Sequence, residues 1–98
     1  MIVEIADFKV APEEQALFCE QLQRGVREVL SQAQGYLGHR VLACSETPSR
    51  VVLMVDWRSL EDHTVGFRQS PAFAQWRAII SPFFAAAPQV EHFVASAN

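Results

Sequence analysis

The sequence predicts an α+β fold built on an antiparallel sheet, and three observations carry that expectation. Its elements run in the order strand, helix, strand, strand, helix pair, strand. Its strands are apolar on both alternating faces, and its helix starts are marked by Pro12, Ser59 and Ser70-Pro71. This order is the ferredoxin-like split βαβ pattern, a four-stranded antiparallel sheet with its helices on one face.

Taken in order, residues 2–10 (Ile2, Val3, Ile5, Ala6, Phe8, Val10) read as a strand. Pro12 can open a helix at its first position, with Glu13 and Glu14 placed favourably against the positive end of the helix dipole. An apolar stripe through Phe18, Leu22, Val26, Val29, Leu30 and Ala33 continues that helix until Gly35, a C-terminal cap. The opposite face, with Glu20, Gln23, Arg24, Arg27 and Glu28, is expected to be wet.

Residues 36–46 and 50–58 predict two strands joined by the turn residues Glu46-Thr47-Pro48-Ser49. In the second, Val51, Leu53, Val55 and Trp57 share one face, with Val52 and Met54 on the other. Ser59 followed by Asp62 resembles a capping box and starts a short helix near residues 60–68. Ser70-Pro71 starts another, carrying Phe73, Trp76 and Ile80 until Pro82 ends it, and residues 89–94 make a last strand. With both helices on one side, the second apolar face of the sheet stays open in a monomer. Burial against a second copy, as an isologous dimer, is the expected remedy.

Ninety-eight residues suffice for one domain, taken as residues 1–98. A net charge of −3, with arginines scattered through every element, offers no basic stripe for nucleic acid or an anionic membrane. The start Met1-Ile2-Val3-Glu4 has no leader pattern, and no segment approaches the roughly 18 apolar residues of a membrane span. The expected location is the cytoplasm. Cys19 and Cys44, far apart and in no Cys-x-x-Cys pattern, read as free core thiols.

Several segments resemble the antibiotic biosynthesis monooxygenase family of dimeric α+β barrels. They are Asp56-Trp57-Arg58-Ser59, the helix through His63 and Phe67, Ser70-Pro71-Ala72-Phe73, Trp76, and Val90-Glu91-His92-Phe93. The resemblance covers nearly the whole chain in layout. It implies a homodimer whose sheets face each other, and a pocket in each subunit between sheet and helices. It also implies, for the enzymatic members, cofactor-free oxygenation of electron-rich polycyclic phenols, haem degradation or small-metabolite chemistry. Two departures stand out: many members carry a His one turn before the Ser/Thr-Pro step and another after the Pro, where this chain has Phe67 and Ala72. The haem-degrading branch uses an Asn, a Trp and a ligating His where this chain has Asp7, Phe67 and the neighbourhood of Trp76 and Arg77.

Among individual residues, His63 lies one helical turn before Phe67 and is the candidate general base, since a neutral imidazole suits removal of a proton from a phenol or an activated carbon. His92 or Arg58 is the candidate polar partner, and Trp57, Phe67, Phe73 and Trp76 the candidate substrate wall. The plainer roles are a capping His63, an interface His92, core packing for the aromatics and surface placement for Arg40 and Arg58. Asp7 is a buried carboxylate of raised pKa or, more ordinarily, a residue that faces water or pairs with an arginine. His39 is the weakest imidazole candidate. No ligand spacing points to a metal, and no glycine-rich loop, nucleophile elbow or dinucleotide fingerprint points to a cofactor.

The expected activity is a cofactor-independent monooxygenase acting on a small aromatic or enolisable molecule. The alternatives are a non-catalytic dimeric module that binds a small hydrophobic ligand, and a haem-binding or haem-degrading protein.

Overall fold

Strict alternation of burial along β1 (Ile2–Lys9) sets the two sides of the sheet: Glu4, Ala6 and Phe8 are buried, while Val3, Ile5 and Asp7 are only half covered. The computed structural model describes residues 1–96. Three further strands, β2 (Tyr36–Ala43), β3 (Arg50–Trp57) and β4 (Gln89–Phe93), complete a sheet in the order β2-β3-β1-β4 with every neighbour antiparallel. This is the ferredoxin-like arrangement expected from the element order. The strand predicted over 36–46 stops at Ala43, and the last strand ends at Phe93.

Helix α1 (Gln15–Glu28) packs Phe18, Leu22 and Val26 onto Val51, Leu53, Val55 and Trp57 of the central strand. Both of its ends differ from expectation. Pro12 opens a 3₁₀ turn, Pro12–Glu14, ahead of the α-helix, and Val29 leaves helical geometry before a second 3₁₀ turn, Leu30–Gln32. The apolar stripe still reaches the core through Leu30 and Ala33, because a spacing of three is also the 3₁₀ repeat. Gly35 does not cap α1; with φ +86 it turns the chain into β2, and its carbonyl accepts a hydrogen bond from the Arg58 amide at 2.8 Å. A Cβ there would run into the Asp62 carboxylate. Gly35→Ala is therefore expected to cost about 1–3 kcal/mol, read as a lowered urea midpoint.

The second crossover begins at the predicted capping box. The Asp62 amide donates to Ser59 Oγ (3.2 Å) and the Ser59 hydroxyl donates to Asp62 Oδ2 (3.0 Å). After one α-type step the helix widens into a π-helix, Asp62–Phe67, and α2 (Pro71–Ile80) follows with Trp76 and Ile80 buried. The two helices meet at Gly25, where an added Cβ would lie 2.8 Å from Trp76 Cζ3. A glycine is what lets that indole lie against α1.

Among the described residues, no helix covers the opposite face of the sheet. Val3, Ile5, Val52 and Met54 are half-buried there, and Leu42 and Phe93 on the two edge strands are exposed. Cys19 and Cys44 are free thiols, as expected, but only Cys19 packs against the core; Cys44 lies past the end of β2 beside Glu46. Among the described residues, no helix is long and apolar enough to cross a membrane.

Candidate active site

Glu4 is the one charged residue on the helix-facing side of β1, and it is 6% exposed. The pleat that turns it inward also turns His92 inward, because the two residues are register partners across β1 and β4. Trp57, at the end of β3, donates its indole N–H to Glu4 Oε1 at 2.9 Å. His63 comes from above, on the π-helix, and stacks on the Trp57 indole with ring centroids 5.0 Å apart.

From that position His63 bridges the other two groups. Its Nε2 lies 3.3 Å from Glu4 Oε1 and its Nδ1 lies 2.7 Å from His92 Nε2. Glu4, His63 and His92 thus form a continuous chain of proton-carrying groups. It runs from a buried carboxyl to a half-buried imidazole.

Burial raises the Glu4 pKa from 4.5 to about 7, with the Trp57 hydrogen bond and the Arg68 charge holding it from going higher. Burial, then the charge of Arg68 and the neighbouring His92, lower His63 to about 3. His92 is lowered in turn by burial and by Arg68. Both imidazoles are consequently neutral near pH 7, and the carboxyl is the group that titrates there.

Two hydrogen-bond patterns satisfy this chain. With Glu4 protonated, its O–H donates to His63 Nε2, and His63 Nδ1–H donates to His92 Nε2. With Glu4 ionised, it accepts from both Trp57 and His63 Nε2–H, while His63 Nδ1 accepts from His92 Nε2–H. Gain or loss of one proton switches both tautomers. An acid-base device of this kind can hold a proton on the carboxyl and pass it outward through the two rings.

The chain of groups borders a cavity of about 220 Å³. Glu4 and His63 face it, Phe73 and Trp76 form apolar wall, and Arg68 and Arg77 line it as exposed residues.

Residues 1–79 match the sequence profile of the antibiotic biosynthesis monooxygenases. The chain belongs to the antibiotic biosynthesis monooxygenase family. The Bacillus subtilis protein YczJ, itself uncharacterised, is 38% identical over 74 residues, which cover 76% of this chain and 78% of that one. A crystal structure from Bordetella bronchiseptica, a candidate antibiotic biosynthesis monooxygenase, superposes with a TM-score of 0.90 at 34% identity, covering 98% of this chain and 97% of that one. The Streptomyces coelicolor monooxygenase ActVA-Orf6, solved with nanaomycin D, shares the fold with a TM-score of 0.84 at 24% identity, covering 99% of this chain and 88% of its own.

Within this family frame, the expected site residues divide into three groups. His63 and His92 come together, and Phe73 and Trp76 face the cavity with them. Trp57 and Phe67 sit behind the imidazole instead: Trp57 is 0% and Phe67 3% exposed, and Phe67 packs between Trp57, His63, Phe73 and Trp76. Arg58 does not reach the cluster, because its guanidinium is held by Asp62 at 3.1 Å. The cations that line the cavity are Arg68 and Arg77.

Asp7 pairs with Arg50 at 2.7 Å on the uncovered side of the sheet, and Arg40 is exposed there too. His39 is engaged at both nitrogens, by the Tyr36 hydroxyl at 2.8 Å and by Gln23 at 2.7 Å. Phe67 and Ala72, at the family's histidine positions, flank a second recess that also includes Gly66 and Ser70.

Among the described residues, no group of three His, Cys, Asp or Glu could hold a metal ion. Neither ring nitrogen of His63 is free to ligate a haem iron. The cavity is also below the roughly 300–1,000 Å³ of sites for drug-sized ligands, and a porphyrin does not fit it.

Proposed function

We propose that this chain is a cofactor-independent monooxygenase that oxidises a small hydroxylated aromatic or enolisable molecule held in the cavity beside Glu4. The observation that supports this is the contact of one apolar cavity with a carboxyl group whose pKa is raised to about 7, itself linked to two neutral imidazoles. A base poised near the working pH is what proton abstraction from a phenol or an activated methylene requires.

In this reading Glu4 accepts the substrate proton and Arg68 faces the oxyanion that forms. The substrate anion gives one electron to dioxygen, and the resulting radical pair joins through a new C–O bond as a peroxide. The peroxide takes up a proton and then loses water to leave a carbonyl; this four-electron oxidation of the methylene supplies every electron that dioxygen takes up, with one oxygen atom retained and the other leaving as water. His63 passes the proton between Glu4 and His92, which is half-buried and exchanges with solvent. Trp57 fixes the carboxyl and supports the ring of His63 from behind. A second copy covers the open sheet face, giving the homodimer expected of the family.

An oxygen electrode tests the proposal with a panel of hydroquinones and hydroxynaphthalenes. Uptake is expected to fall by about tenfold or more in His63→Ala. A panel in which no compound is consumed faster than with that variant would overturn the catalytic reading. It would leave the non-catalytic ligand-binding module, which the replacement of the family's histidines by Phe67 and Ala72 favours.

A further inference from the structure

Arg77 has no role in the proton chemistry, yet it lines the same cavity. Its guanidinium carbon lies 6.0 Å from the ring centre of Phe73 and 5.7 Å from that of Phe84. Contact of this kind holds the guanidinium against the two rings without occupying its N–H donors in hydrogen bonds.

Three other arginines are neutralised: Arg24 by Glu28, Arg50 by Asp7 and Arg58 by Asp62. Among the described residues, Arg77 has no carboxylate within ion-pair distance and donates no hydrogen bond to the protein, so its fork of donors lacks an acceptor.

The cavity also has direction. Glu4, Ala6 and Phe8 line it in succession along one face of β1, and at the ordinary rise of a strand Phe8 lies roughly 13 Å from Glu4. Phe84 stacks on Phe8 with ring centroids 5.5 Å apart, so Arg77, over Phe84, belongs to the end remote from the carboxyl. Between the two ends the lining is apolar, with Ala6, Ile80 and Val90.

We infer that the cavity takes an aromatic acid of one or two rings, with its carboxylate on the Arg77 fork and its reacting hydroxyl or methylene toward Glu4. This rests on the reading of the cavity as the substrate site. The volume of about 220 Å³ sets the limit on ring number. A bidentate arginine–carboxylate contact fixes the molecule end-on, which directs the opposite edge of the ring at the base. A neutral phenol of the same shape lacks the contact with Arg77.

Calorimetric titration of the full chain with a hydroxynaphthoic acid, and with its uncharged primary amide, tests this. The acid is expected to bind about tenfold or more tightly than the amide. Arg77→Gln should bring the acid close to the level of the amide, and Arg77→Lys should keep part of the preference. Equal affinities in the native chain, or a preference that survives Arg77→Gln, would overturn the inference. Oxygen uptake in the same samples separates the two proposals. An Arg77-dependent preference without uptake keeps the docking role and removes the catalytic one; uptake that ignores both the acid group and Arg77 does the reverse.

Discussion

Glu4→Gln is expected to lower oxygen uptake by about 100-fold to 10,000-fold, the usual contribution of a positioned general base. Glutamine keeps the hydrogen-bonding shape of the site: its carbonyl oxygen can stand where Glu4 Oε1 stands, accepting the Trp57 N–H at 2.9 Å and a His63 Nε2–H at 3.3 Å. It cannot take a proton. The native rate should rise with pH through about 7, as Glu4 loses its proton and becomes able to accept one from the substrate. Both imidazoles are already neutral over that range. A variant with native uptake would move the base elsewhere in the cavity.

The same substitution should stabilise the fold in alkaline solution. Glu4 is buried, and its folded-state pKa of about 7 lies above the unfolded value of 4.5, so the folded chain holds this proton more tightly than the unfolded chain does. The stabilisation of the neutral carboxyl is fully present below pH 4.5 and is lost as the pH rises through about 7. The displacement corresponds to about 3 kcal/mol. Urea unfolding near pH 8 should therefore find Glu4→Gln more stable than the native chain by up to about 3 kcal/mol, with the difference closing toward about pH 4.5.

His63 acts in the opposite sense, since its lowered pKa removes stability as the pH falls below 6.5. It is neutral in both proteins near pH 8, so it does not enter the alkaline comparison. A gap between the two chains that does not change with pH would mean that Glu4 keeps its unfolded value of 4.5 in the folded chain. A more stable but inactive variant is the expected signature of a site that keeps a carboxyl where burial penalises its charge.

The fold was legible because its signals are local. Alternation gives the two faces of β1 and β3, Ser59 with Asp62 gives the second crossover its start, and Ser70-Pro71 gives α2 its own. His63 was legible as the imidazole on the crossover, but its partners were not. Glu4 carries no motif; its only mark is parity, because it shares the β1 face of Ala6 and Phe8, and that face was not known to be the covered one until the helices were placed.

Arg68 escaped for a geometrical reason. On an α-helix the residue four after His63 returns to its face and the fifth turns away. In the π-helix the Arg68 amide bonds to the His63 carbonyl at 3.0 Å, so the fifth residue comes back over the first. Arg58 is the arginine that the sequence puts forward, yet its i,i+4 partner Asp62 ties it down outside the cavity. The joining of His63 to His92 is non-local, across 29 positions of the chain, and no spacing rule reports it.

The central claim is that Glu4 is the titrating member of a buried proton chain. Carbon-detected NMR of side-chain carboxyl groups, with Glu4→Gln used to assign the signal, measures this directly. The Glu4 carbon is expected to titrate with a midpoint of about 7, and the His63 and His92 ring signals to change tautomer over the same interval without becoming imidazolium. A Glu4 midpoint near 4.5, with both rings unchanged around pH 7, would contradict it.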